Sequence, residues 1–286
     1  MKKNLRLATR GSPLALIQAK MTAEYLSARL PDTSFEIKEY KTLGDKKQNW
    51  SLSKLDRVGL FTKELEEALF NDEADIAVHS AKDLPVALPE NFNVAMCLPR
   101  DKSCDVLIHK KDVEVPSLIA TSSPRRRAQL KTMFPNAVWN EMRGNVETRL
   151  RKLSMPESSI DATILSGAGL VRLGISSFED LIFTELKSNC CVPAAGQGII
   201  ALQCNDSLAE ILTPLGDKNA MNSFLLERQF LRTLGGGCQV AHAANFDGEF
   251  FRFFHENCGI QKYKFSSSNL EEMLNEVHEI ASGIVK

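Results

Sequence analysis

A chain of 286 residues, 43% apolar and 25% charged, has material for about two buried cores and an ordinary globular composition. Its formal charge of −1 excludes a global bias toward nucleic acid or acidic membranes. No uninterrupted apolar run is long enough to span a bilayer. The start, Met1-Lys2-Lys3-Asn4-Leu5, lacks the apolar core of a secretory signal, so the expectation is a cytoplasmic protein.

Leu5–Thr9 reads as a strand broken by Arg10-Gly11-Ser12-Pro13. Pro13 suits a first helical turn capped by Ser12. Leu14, Ile17, Met21 and Tyr25 keep helical spacing, and Ser34–Tyr40 alternates as a second strand, which makes a β-α-β unit. Gly44–Gly59 is polar and without period, a loop of functional length. Thr62–Phe70 reads as a helix, Asp75–His79 as a buried strand and Val94–Leu98 as another.

A second series follows. Asp105–Ile108, Ser117–Thr121, Ala137–Asn140 and Ala162–Leu165 read as strands, with helices at Arg125–Met133 and Val146–Leu153. Cys190–Val192 and Ile199–Gln203 read as apolar strands around Pro193-Ala194-Ala195-Gly196-Gln197-Gly198. Asn219–Leu234 is an amphipathic helix. Val240–Phe246, Glu249–Glu256 and Gln261–Phe265 read as an antiparallel meander closed by a helix at Leu270–Ile280. The expected divisions are 1–98, completed by 196–215, then 99–195, then 216–286.

Three features carry chemistry. Cys238 follows Gly235-Gly236-Gly237, and glycines leave its thiol open to a bulky group. The other six cysteines form no CxxC pair and read as small buried hydrophobes in a reducing compartment. Neither cysteines nor histidines have metal-ligand spacing, so no metal is expected. Second, Arg125, Arg126, Arg127, Lys131, Arg143, Arg149, Arg151 and Lys152 make a local positive patch. Ser122-Ser123-Pro124 at a helix start, Arg143-Gly144-Asn145 and Arg10 each place a guanidinium beside free backbone N–H groups. Strand ends of open α/β sheets are where ligands bind. No aromatic lies within Arg125–Lys131 or Arg143–Lys152, so discrete carboxylates fit better than nucleic acid. Third, Asp75 to Pro85 delivers Ser80, Lys82 and Asp83 to a sheet edge. A carboxylate there stabilises a developing cation or shuttles a proton. His79 reads as a packed core histidine.

Several segments, in order, resemble the porphobilinogen deaminase family, also called hydroxymethylbilane synthases. They are Ala8 to Ala15, Gly59 to Glu66, Ala77 to Pro85, Thr121 to Arg126, Arg143 to Leu150, Pro193 to Gly198 and Gly236 to Val240. The resemblance implies two α/β domains of periplasmic-binding-protein-like type around a cleft, plus a small α+β C-terminal domain. It implies stepwise condensation of four porphobilinogen molecules, with loss of ammonia, on a covalent dipyrromethane cofactor. Hydrolysis then releases the linear tetrapyrrole hydroxymethylbilane. Cys238 matches the thioether position and Asp83 the catalytic aspartate. Ser80, Lys82, Thr121, Ser122, Ser123, Arg125 and Arg126 match residues near the cofactor. Arg10, Ser12, Gln18, Arg143, Arg149 and Arg172 match substrate-side positions, where arginine's bidentate fork suits carboxylates.

The chain departs from the family at Lys54 to Gly59, where Arg57 stands near an expected lysine, and at Val240-Ala241-His242. The expected partner is the small-molecule substrate, with no nucleic acid or membrane, and the expected state is a monomer. Two other readings are a non-catalytic two-domain binder of small organic anions, which needs neither Asp83 nor Cys238, and a cysteine hydrolase or transferase using His242 as its base.

Overall fold

The computed structural model describes residues 3–42, 62–89, 92–235 and 240–285. Strand β1 (Asn4–Arg10) turns Leu5 and Leu7 into the core. Helix α1 (Pro13–Ser27) begins as the sequence dictates, with Pro13 in its first turn and Ser12 Oγ accepting from the Ala15 amide. Strand β2 (Ser34–Tyr40) returns parallel to β1, with Arg10 opposite Tyr40. Helix α2 (Lys63–Phe70) and strands β3 (Ile76–Ser80) and β4 (Asn93–Cys97) follow. A 3-10 turn, Ala81–Asp83, continues directly from β3. The expected loop at Gly44–Gly59, with Arg57, lies outside the described residues.

The second series comprises β5 (Asp105–Lys110), β6 (Leu118–Ala120), α3 (Pro124–Leu130), β7 (Val138–Asn140), α4 (Val146–Ser154), β8 (Ala162–Ser166), α5 (Gly167–Arg172) and β9 (Leu181–Leu186). These strands form a sheet in the order β7-β6-β8-β5-β9. β6 is parallel to both neighbours, whereas β5 runs antiparallel to β8 and β9. β9 escaped the sequence reading because it is an edge strand, buried only at Leu181 and Leu186 with Ile182 exposed between them. Cys190–Val192 is not a strand, contrary to its apolar character. The Cys190 and Cys191 amides both donate to the Lys187 carbonyl, which closes a turn. The Val192 amide donates to Gln129 Oε1 instead of to a ladder.

Strand β10 (Ile200–Cys204) crosses back and inserts antiparallel between β3 and β4, giving the first sheet the order β2-β1-β3-β10-β4. Helix α6 (Asp206–Leu212) packs on β4. Helix α7 (Lys218–Leu234), strands β11 (Ala243–Phe246), β12 (Phe251–His255) and β13 (Gly259–Tyr263), and helix α8 (Leu270–Val285) make a three-stranded antiparallel sheet covered by two helices. Its core is aromatic. Phe230 meets Phe251 and Phe253 at ring centroids of 5.8 and 5.0 Å. Fully buried rings of this size contribute about 1.5–3 kcal/mol each.

The segments joining the two larger sheets run side by side. Gly198 has φ +88°, and a Cβ there would stand 2.5 Å from the Asp101 carbonyl oxygen, so only glycine fits. Glu227 of α7 reaches this crossing, pairing with Arg100 and accepting from the Gly196 and Phe246 amides. Among the described residues no helix is long and apolar enough to cross a membrane.

Candidate active site

The carboxyl ends of β1, β2 and β3 face the second sheet across a cleft of about 1040 Å³. From the first side come Arg10, Ser12, Gln18, Ser80, Lys82 and Asp83. From the other come Ser122, Arg126, Arg143 and Arg149. Ten residues singled out from sequence therefore converge on one space, although they span positions 10 to 149.

Each is positioned by its element. Gln18, buried on α1, donates from Nε2 to Ser80 Oγ at 2.8 Å, which locks α1 to the end of β3. Lys82 and Asp83 follow in the 3-10 turn, so the strand end itself brings both to the cleft lining. Burial pushes the Lys82 ammonium down to about 8, with Asp83 pulling it back up and Arg126 pushing it further down. Ser122 Oγ donates to the Met142 carbonyl at 2.9 Å, and Arg149 Nε donates to the Gly144 carbonyl at 2.8 Å. Burial pushes the Arg149 guanidinium down to about 10, and repulsion from Arg126 and Arg143 adds to the effect. Arg143 Nη2 is buried without a hydrogen-bond partner and lies 3.8 Å from Glu141 Oε2.

Four of the singled-out residues stand behind the wall of the cleft. Thr121 Oγ1 accepts from the Ser123 amide, and Ser123 Oγ caps α3 by accepting from the Arg126 amide. Arg125 Nη2 lies 2.7 Å from Asp105 Oδ2, and its Nη1 donates to the Val192 carbonyl at 2.6 Å. Arg172 donates to the Gly198 carbonyl at 2.6 Å and pairs with Asp101. Arg126 is shared between the two settings. It lines the cleft, yet its Nε and Nη2 donate to Asp105 Oδ1 and its Nη1 to the Ile164 carbonyl. Asp105 was missed in the sequence reading. A lone acidic residue opening an apolar strand, twenty positions before the arginines, was its only signal.

A family model described as Porphobilinogen deaminase, dipyromethane cofactor binding domain, matches residues 5–213. A porphobilinogen deaminase of Syntrophomonas wolfei is 47% identical over 250 residues, 85% of this chain and 80% of that protein.

The chain belongs to the porphobilinogen deaminase family.

A probable porphobilinogen deaminase of Methanocaldococcus jannaschii shares 41% identity over 99% of this chain and 92% of its own length. The Bacillus subtilis porphobilinogen deaminase shares 40% over 84% and 78%. The chain path also resembles the periplasmic aliphatic sulphonate binding protein SsuA from Escherichia coli. That likeness has 11% identity and a TM-score of 0.44, over 82% of this chain and 71% of that one.

The matched region is the domain that binds the dipyrromethane cofactor of porphobilinogen deaminases. The cleft residues fit such a group. Three guanidiniums, those of Arg126, Arg143 and Arg149, share one wall, where burial first and then mutual repulsion depress Arg149, and among the described residues Arg143 has a buried N–H without an acceptor. A ligand with several carboxylates relieves both. Cys238, the expected attachment point, lies outside the described residues.

Proposed function

We propose that this porphobilinogen deaminase performs its family's reaction, the deaminating head-to-tail condensation of four porphobilinogen units to hydroxymethylbilane, with Asp83 as the catalytic carboxylate. The observation that supports the reading is that Asp83 lines the same cleft as Arg126, Arg143 and Arg149. Departure of ammonia from the aminomethyl carbon of porphobilinogen leaves a cation spread over the pyrrole ring. The Asp83 carboxylate stabilises that charge where it develops and accepts the proton released as the new carbon–carbon bond forms.

Arg10, Ser12, Arg143 and Arg149 hold the acetate and propionate groups of the substrate. Lys82, Ser122 and Arg126 hold those of the cofactor, with Ser80 and Gln18 fixing the floor beneath them. Thr121, Ser123 and Arg125 brace Arg126 from behind, and Arg172 braces the crossing between the two sheets. When bound through Cys238, the dipyrromethane supplies the free pyrrole α-carbon to which the first unit is added.

The described cysteines are free thiols, which fits a cytoplasmic setting, and the reaction as read here asks for no second copy, so the expected state is a monomer. Intact-mass measurement with peptide mapping tests the reading. An excess of two linked pyrrole units on the peptide containing Cys238, growing stepwise as porphobilinogen is added, is the expected result. An unmodified chain that gains no mass with porphobilinogen would instead leave a binder of organic anions.

A further inference from the structure

Among the described residues, Glu39 is the one acidic residue of the cleft wall that the reaction above does not use and no neighbour holds. It sits near the end of β2, paired with Thr9 in the parallel register. Its carboxylate overhangs the turn Arg10-Gly11-Ser12: a Cβ on Gly11 would stand 3.4 Å from Glu39 Oε2. It is exposed to solvent and lines the cleft. Glu147, another carboxylate of the lining, is held by Arg151 Nη2 at 2.6 Å. Among the described residues the Glu39 carboxylate has no hydrogen bond and no ion pair, although Arg10 and Lys41 line the same cleft.

An unheld carboxylate is a poor wall for a ligand that carries two carboxylates on every ring, because like charges repel across the cleft. It is a good wall for a cation. Porphobilinogen carries one, the protonated aminomethyl group, until ammonia leaves. We propose that Glu39 recognises this ammonium as the monomer enters, before the ring reaches Asp83. The inference rests on the functional reading above and names a residue within it. β2 and β3 flank β1, so Glu39 and the end of β3 are separated by two strand spacings, about 10 Å. Glu39 therefore acts on capture and Asp83 on departure. Once incorporated, a unit has lost its ammonium and keeps its carboxylates, so the same side chain attracts the free monomer and repels the finished chain.

The experiment uses holoenzyme, wild type and Glu39→Gln, with two ligands. One is porphobilinogen. The other is the same pyrrole dicarboxylate with a methyl group in place of the aminomethyl, used as a competitive inhibitor. The expected result is a fall of about threefold in kcat/KM for porphobilinogen, carried by KM and of the size of an exposed ion pair. Inhibition by the methyl analogue should be equal or tighter in the variant, because a repelling charge is gone. An unmoved KM, or equal weakening of both ligands, would overturn the proposal. Wild-type holoenzyme that consumes no porphobilinogen would overturn the functional reading first, and the ammonium assignment with it.

Discussion

Arg126 Nη2 lies 2.7 Å from Asp105 Oδ1, and both side chains are buried inside the second α/β unit. Arg125 Nη2 lies at the same distance from the other oxygen, so two adjacent guanidiniums share one carboxylate. Gln197, from the segment that crosses back to the first sheet, donates to Asp105 Oδ1 at 2.9 Å. Breaking such a cluster from one side strands charge in the interior. Asp105→Asn should cost about 3–5 kcal/mol of stability, read as a shift in urea midpoint. Burial alone would raise the Asp105 carboxyl, but Arg125 and Arg126 outweigh it and hold it well below the usual range. A depressed carboxyl stabilises fully above its unfolded value, near pH 4, and loses that contribution as pH falls further. The gap between wild type and variant should therefore narrow below about pH 4. A gap that widens on acidification would contradict the assigned charge state.

Asp83→Asn keeps the size of the side chain and removes its charge. Asp83 is part-exposed in the cleft lining, so the fold should hold within about 1 kcal/mol. Turnover of porphobilinogen should fall by about a hundredfold or more, the usual scale for a lost acid–base or charge-stabilising group. Near-normal initial rates would take Asp83 out of the mechanism.

Arg149 tests the trade between function and stability. Its charge is disfavoured where it stands, by burial first and then by Arg126 and Arg143. Arg149→Leu should leave the thermal midpoint unchanged or raised. It should also lower kcat/KM by about tenfold, as expected when a charged hydrogen bond to a carboxylate is lost. A large fall in melting temperature would mean that the guanidinium serves the fold.

His79 is buried, with Nε2 3.1 Å from Gln203 Oε1, and Gln203 in turn donates to Glu66. Burial pushes its pKa down to about 4; the Gln203 bond opposes this and Arg10 adds to it. The unfolded chain takes up a proton near pH 6.5 that the native state refuses until about pH 4. Stability from this group is complete above pH 6.5 and shrinks as pH falls toward 4, by an amount on the order of 3 kcal/mol. The His79→Gln variant should show a flatter loss between pH 7 and 4.5. Parallel losses in the two proteins would exclude His79 as the source.

Local sequence read well wherever a local rule governs. Ser12-Pro13 and Ser123-Pro124 specify helix starts on their own, and the parallel strands around α1 follow from apolar spacing. The reading failed where the partner is remote. Arg125 and Arg126 advertise a positive patch, but nothing nearby in sequence reveals that both pair with the buried Asp105. Glu39 looked like one more polar residue on an alternating strand. Only the register of β2 against β1 puts it over Gly11. Cys190–Val192 has strand composition, yet two amides sharing the Lys187 carbonyl override it.

The placement of β10 has a consequence for how this chain is made. Ile200 pairs with Ser80, 120 positions earlier, whereas the whole second sheet lies between Asp105 and Leu186. During synthesis the second unit has all its strands before the first has its fifth. Until residue 204 emerges, β3 and β4 each present an open ladder edge with nothing to fill it, and distant pairings of this kind are slow to form. The reaction cleft, which needs both sheets, is therefore among the last features of the nascent protein to exist.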